Sequence, residues 1–365
     1  MGAGPLAAYL NASYVFDWRK QTFASDLIFV VPIAFCLGVG LAVGHPAAGM
    51  IAAGGAMTVG FGSKQSIDDS RLLPMIFASL GMAFSIFVGM VAGHENFILV
   101  IVAALWAFGY GMLTARPGGY GWVGQQGVVM LVVGSAFPFA VKLAVARAGL
   151  LLAGCVLQVV WSSVALRLSG ELRDNLAAMT RYMREEEMAM RAAVAELTAT
   201  VRRRRFADST VAYSLRLMVT VGVSTEIYRR LHFSSGYWIP MTALLVLKPG
   251  LADTANRAIA RTLGTVAGAW LLSLLVAHLT PSNLTLAVLA TMFAWLSYAT
   301  LNVNYALFAV FLTGYIVFLL SLAHIPGGEI AVRRAVCTAT GGAIALTVRL
   351  LVLHRRNRQK GVVQR

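Results

Sequence analysis

Charged residues are scarce. Asp, Glu, Lys and Arg together make up 12% of the 365 residues, about half the share in a soluble domain. That shortage excludes a water-soluble enzyme, and hydrophobic residues at 58% exclude a disordered chain. There are only three cysteines, Cys36, Cys155 and Cys337, each alone in an apolar run and with no CxxC. They exclude a disulfide-stapled module and read as small core residues. Acidic residues number 15 against 30 basic ones, for a net charge of +15. In a soluble protein that excess would suggest nucleic acid. Here the basic residues fall at the ends of apolar segments, where they orient helices and meet anionic headgroups, so no nucleic-acid partner is expected. There is no Ser/His/Asp set, Walker loop or HExxH, and no two histidines have metal-ligand spacing. No catalysis, cofactor or metal is therefore expected. A basic n-region is also missing: Asp17, Trp18, Arg19 and Lys20 precede the first apolar run, which is expected to stay as an uncleaved span.

What the chain does have is apolar length. Mean hydropathy is +0.74, and a helix needs about 20 mostly apolar residues to cross the hydrocarbon. The pattern predicts spans at 26–44, 46–62, 72–93, 96–114, 122–140 and 147–166, then a charged stretch. Six more follow at 210–231, 235–249, 256–278, 283–300, 303–323 and 333–353. The second span of each half is short and carries Gly or Pro, so it is expected to be broken or tilted. The expected fold is an all-α polytopic membrane protein of about 12 transmembrane helices. Its divisions are a first six-helix repeat (1–166), a cytoplasmic amphipathic connection (167–208), a second six-helix repeat (209–354) and a basic cytoplasmic tail (355–365). The Lys/Arg bias of the short loops places both termini in the cytoplasm, with the chain in the inner (plasma) membrane. Lys142, Arg147, Arg229, Arg230, Arg333 and Arg334 are the exceptions and fall near the opposite face.

The halves are weakly self-similar. His45-Pro46 opens the second span and Tyr237-Trp238-Ile239-Pro240 opens the eighth. Arg147, Gly154 and Arg167 match Arg334, Gly341 and His354 at identical spacing. Because each half holds an even number of spans, the repeats are expected to be parallel, related by an axis along the membrane normal. Transporters built this way bind substrate near the midplane between the halves. Duplicated bundles also fold for purely architectural reasons.

From Gly236 to Gly268 the chain reads GYWIPMTALLVLKPGLADTANRAIARTLGTVAG. The opening Tyr237-Trp238-x-Pro240, the Lys248-Pro249 pair, and Arg257 and Arg261 before a Gly-rich helix resemble the fusaric acid resistance and aromatic acid exporter family of bacterial inner-membrane proteins. The membrane fold of that family is similar to that of plant aluminium-activated malate channels. About 30 residues carry the resemblance; the rest agrees in layout. The resemblance implies efflux of aromatic or other weak organic acid anions, with a periplasmic adaptor protein as partner. Many members carry large cytoplasmic domains, whereas the connection here is about 42 residues. Roles assigned to those domains do not carry over.

The same segment has its own physics. Arg257 and Arg261 are four apart and share a helix face. Pro249-Gly250 forces a turn after Lys248, and Asp253 is placed to cap the next helix or pair with an arginine. A charge at the bilayer centre costs about 2.5–3.5 kcal/mol on the insertion scale, so three clustered cations need water, headgroups or an anion. One reading is positive-inside anchoring. The other is a cationic vestibule of Lys248, Arg257, Arg261 and Arg71 that gathers anionic substrate, with Tyr237 and Trp238 giving aromatic surface. Arg147, Arg229, Arg230 and Arg334 would then make the exit side attractive to anions. Glu226, three and four residues before Arg229 and Arg230, and Asp253 are the candidates for proton coupling; ion pairing is the simpler reading of Glu226. Moving one negative charge outward yields roughly 2.3 kcal/mol per 100 mV, which supports a gradient on the order of fifty-fold. Uniport is sufficient in principle.

Other signals are weaker. Gly119 to Gly124 fits GxGxxG without a strand before it, and Phe108-Gly109-Tyr110-Gly111 lies inside a full span, so neither a dinucleotide loop nor an ion filter is expected. Gly40 with Gly44, and Gly264 with Gly268, have the spacing of close helix packing. In the connection, Leu168, Leu172, Leu176, Met179, Met183, Met190, Val194, Leu197 and Val201 form an apolar stripe that predicts pairing with a second copy, a homodimer. Arg202 to Arg205 are expected to anchor the start of the seventh span. The expected function is export of organic anions. The alternatives are an anion channel and a non-transporting membrane scaffold or assembly factor.

Overall fold

The structure is a computed structural model that describes residues 13–195, 208–231, 235–279, 281–323 and 327–363. It is helical, with no strand among the described residues beyond an isolated bridge between Ile67 and Ser70. Three short turns, Trp18–Lys20, Phe23–Asp26 and Leu27–Val30, lead into α1 (Val31–Ala42). Then come α2 (Pro46–Gly60), α3 (Leu72–Ala92), α4 (Ile98–Leu113), α5 (Tyr120–Ser135) and α6 (Val141–Leu168). The connection is α7 (Leu172–Ala195). The second half holds α8 (Asp208–Leu231), α9 (Trp238–Val246), α10 (Leu251–Leu279), α11 (Asn283–Thr300), α12 (Tyr305–Ser321) and α13 (Gly327–Val363).

Local chemistry sets several ends. Pro46 opens α2, where its missing N–H costs nothing. The Ser282 side chain accepts from Thr285 N–H and that of Asn304 from Leu307 N–H, capping α11 and α12. Gly44 closes α1 at φ +74° with open space around its Cα, so Gly40 and Gly44 part company: one packs and the other turns the chain. Trp18–Ala42, Leu72–Ala92, Val141–Leu168, Asn283–Thr300 and Glu329–His354 are long and apolar enough to cross a membrane. At 1.5 Å per residue, α9 is only about 13 Å long and cannot cross alone.

Large apolar side chains face outward as well as inward. Leu80, Phe84, Leu105, Val160, Leu263 and Trp270 point outward, while Asp26, Gln158, Arg261 and Arg334 are buried. Lipid as the outer solvent accounts for both.

Helix pairing follows one scheme in each half. In the first, α1 packs on α2, α2 on α6, α3 on both α5 and α6, and α4 on α5. In the second, α8 packs on α9, α9 on α13, α10 on both α12 and α13, and α11 on α12. The halves meet where α4 lies on α8 and where α1 lies on α11, so the fourth helix of each half meets the first of the other. Glycines permit these approaches. A Cβ at Gly154 of α6 would fall 1.9 Å from the Ala52 carbonyl oxygen of α2, and one at Gly341 of α13 would fall 2.5 Å from that of Ile239 in α9. Gly264 and Gly268 bring α10 against Ala306 and Val310 of α12 in the same way.

The face of α7 divides. Ala178 and Tyr182 are buried, with Met179 packed near Ile67, Leu73 and Phe77. Leu176 and Met183 are exposed, as is Leu168 at the end of α6. Leu197, Val201 and Arg202 to Arg205 lie outside the described residues, and nothing is described of the side chains of Met190 and Val194.

Candidate functional site

The site forms where the second half interrupts its own helix. After Val246 the chain leaves the α-helix, and Pro249-Gly250 stops it from resuming until Leu251. The polar groups freed by this break are re-used. Leu247 O accepts from the Tyr213 hydroxyl of α8 at 3.1 Å, and Lys248 N–H donates to Thr254 Oγ1 at 3.0 Å. The Thr254 hydroxyl lies 2.7 Å from Gly250 O, so one side chain clips both sides of the turn. Such closure is required because an unpaired amide away from water costs as much as a lost hydrogen bond.

A cavity of about 310 Å³ opens at this break, lined by Lys248, Pro249, Asp253, Asn256, Arg257 and Tyr305. Two cations therefore face one carboxylate. Neither Lys248 nor Arg257 has an ion-pair partner within 4 Å among the described residues. Arg257 holds its guanidinium 4.4 Å from the centre of the Tyr305 ring, with Nε buried and unpartnered. Arg261, one turn deeper on the same face of α10, donates from Nη1 to the Tyr305 hydroxyl at 3.0 Å and is 4% exposed. The four-residue spacing thus brings both arginines to a single tyrosine presented by the start of α12.

The remaining candidates lie elsewhere. Arg334, on α13, is 2% exposed with its guanidinium 5.0 Å from the centre of the Trp238 ring. Trp238 and Tyr237 are buried and pack on each other, and Tyr237 also touches Phe137; neither lines the cavity. Arg71 is held by α7, with Nη1 3.0 Å from Glu171 and its N–H donated to Asn175 at 2.7 Å. It too is absent from the cavity wall. Arg147 stacks on Phe139 at 3.9 Å. Glu226 bonds Arg229 through both oxygens, at 2.7 and 2.9 Å, and accepts from Arg230 at 2.5 Å. Asp253 sits in the first turn of α10 with its carboxylate against Gly250, inside the cavity.

Two features had no signal in the sequence pattern. Tyr305 is 44 residues from Arg261, and only the Asn304 cap marks where its helix starts. In the first half, Lys64 Nζ meets Asp26 at 2.7 Å, Thr22 Oγ1 at 2.9 Å and the Tyr298 carbonyl at 2.7 Å, with Asp26 4% exposed. The cation that closes α2 is therefore neutralised by the chain itself, whereas Lys248, just past the end of α9, faces a cavity.

A family match falls on the same region. Residues 223–348 match the family described as fusaric acid resistance protein-like, which bears out the resemblance read in 236–268 and includes every residue lining the cavity. An uncharacterized protein of Escherichia coli (strain K12), YhfK, is 34% identical over 131 residues, 36% of this chain and 18% of that protein. An uncharacterized protein of Synechocystis sp., slr1298, is 29% identical over 135 residues, 37% of this chain and 18% of that one. The alignments thus span under a fifth of the length of these relatives. No solved structure matches the chain.

Proposed function

From the similarity of residues 223–348 to the fusaric acid resistance-like family, we propose that the chain is a multi-pass membrane transporter that exports organic anions. Aromatic and other weak acids are the substrate class. The observation that carries this reading is the cavity at the α9–α10 break, where two cations, Lys248 and Arg257, face open space with Asp253 as the one acid among the lining residues. A carboxylate satisfies both, and Tyr305 and Asn256 offer a ring face and an amide beside it. Arg261, one turn further in, is the next cation a substrate meets.

The twelve-helix arrangement belongs to the same proposal. Twelve helices lie in the inner membrane as two parallel six-helix repeats, α9 crossing only together with the non-helical residues that follow it, and both termini are in the cytoplasm. The recurrence of five helix pairings in both halves supports it, as do the equivalent crossings at Gly154 and Gly341. Arg147, Arg229, Arg230 and Arg334 then lie toward the exit. The three hydrogen bonds from Arg229 and Arg230 support Glu226 as their counter-ion rather than a proton carrier. A second copy of the chain and a periplasmic adaptor complete the proposal.

Efflux into inside-out vesicles, measured across a panel of aromatic acids, tests it. Arg257→Ala and Arg261→Ala should abolish transport while membrane insertion persists, and Glu226→Gln should keep it. Normal flux in both arginine variants would remove the site from the mechanism. Single-channel currents in planar bilayers would replace a carrier by a channel, and a stoichiometric copurifying partner without any flux would favour the scaffold.

A further inference from the structure

Beyond the cavity lie charges that no described residue neutralises. Arg334 is 2% exposed, and its Nε and Nη1 are buried without a hydrogen-bond partner. Arg261 is 4% exposed, and it spends one N–H on Tyr305 while its Nε is likewise buried and unpartnered. Neither has an acidic partner within 4 Å among the described residues, and the helices that carry them, α10 and α13, pack along one another. Thr265, four residues after Arg261 on α10, is 1% exposed and adds a third unpartnered group, its hydroxyl. The Trp238 ring faces Arg334, but a ring face offsets only part of what it costs to take a guanidinium out of water. Trp238 also opens α9, whose positive end strengthens the field felt by an anion there.

Buried polar groups are as a rule hydrogen-bonded, and buried charges are paired. Two other cations of this molecule meet that rule: Lys64 has Asp26, and Arg229 has Glu226. At Arg261 and Arg334 no described residue supplies that partner, which leaves a place for one from outside the chain. The unpartnered donors are shut off from solvent, so an aromatic ring has no room beside them, and a compact ion displaces the surrounding helices least.

We propose that a small inorganic anion of the chloride class resides between Arg261 and Arg334, where α10, α13 and the start of α9 meet. It acts as the counter-ion of the second half, in the place that Asp26 fills for Lys64 in the first. The site shares Arg261 and Arg334 with the proposed export path, but it is tested apart from it, because occupancy is measured without flux.

The test uses the full chain purified in detergent and exchanged into chloride-free gluconate at constant ionic strength. Adding chloride should raise Tm by several degrees along a saturating curve, since a ligand at a hundredfold excess over Kd shifts the folded-to-unfolded ratio about a hundredfold. Radiolabelled chloride should bind at one ion per chain, equally in the wild type and in Lys248→Ala. Arg334→Met should lose the label and melt at one temperature with or without chloride, no lower than the wild type in gluconate. Where Arg334→Met does not fold, Arg261→Met and the wild-type titration carry the same test. A wild-type Tm indifferent to chloride, with no label bound, would overturn the proposal. So would label that survives Arg334→Met but is lost in Lys248→Ala, because the ion would then belong to the cavity. Absence of export in vesicles with chloride still bound would sink the transport reading alone.

Discussion

The ion pair between Lys64 and Asp26 permits the sharpest calculation. The ammonium has three protons and three acceptors, Asp26 Oδ2, Thr22 Oγ1 and the Tyr298 carbonyl, at 2.7 to 2.9 Å. The side chains are 15% and 5% exposed, so solvent screens the pair little. At an effective dielectric constant of about 20, charges this close attract by roughly 6 kcal/mol, most of which is offset by removing two ions from water. Deleting one partner strands the other. Asp26→Ala should therefore cost about 3 kcal/mol, the low end for a broken buried pair. Lys64→Met should cost somewhat less, because a stranded carboxylate can take up a proton. Removing both leaves no stranded charge, so the double variant should be little worse than either single one, with a coupling energy of about 2–3 kcal/mol. The assay is reversible unfolding of the purified protein in mixed micelles, for all four corners of the cycle. Strict additivity, with coupling below about 0.5 kcal/mol, would refute the claim that these two charges neutralise each other out of reach of solvent.

Two further outcomes follow from packing. In α6, Gly149→Ala should be neutral or stabilise by about 0.5–1 kcal/mol, because open space surrounds that position. Gly154→Ala, five residues on, should lower Tm sharply: its methyl would meet the Ala52 carbonyl at 1.9 Å, and overpacking costs about 1–3 kcal/mol or more. Gly341→Ala should behave like Gly154→Ala, and equal melting of Gly154→Ala and Gly149→Ala would contradict the close crossing. On α7, Leu176→Cys should crosslink two copies through the exposed stripe, with little background since Cys36, Cys155 and Cys337 are buried; monomer alone would dismiss the homodimer.

Much of the fold can be read from apolar runs. Five segments declare themselves by apolar length, and Pro249-Gly250 announces the break that opens the cavity. The pairing of Arg257 and Arg261 was legible because 3.6 residues per turn puts positions four apart on one face. Their meeting point was not. Tyr305 arrives from another helix, and nothing in a helix of nearly uniform hydrophobicity says which face will meet which neighbour. Lipid tails are as apolar as a protein core, so the periodicity that reveals buried faces in soluble helices is faint here. For the same reason Tyr237 and Trp238 could be read as lining a vestibule, although they pack in the core and support Arg334. Arg71 could be read with the other cations, although Glu171 and Asn175 hold it at α7.

Composition and apolar length alone determined that this chain is a helical membrane protein rich in cations, since both are one-dimensional quantities. Only the tertiary structure decided which cations are spoken for. Asp26 reaches Lys64 across 38 residues and Glu226 reaches Arg229 across one helical turn, while Lys248, Arg257, Arg261 and Arg334 have no acid within 4 Å among the described residues. Charge neutralisation acts over a few ångströms in space, and distance in space is what a linear order of residues does not contain.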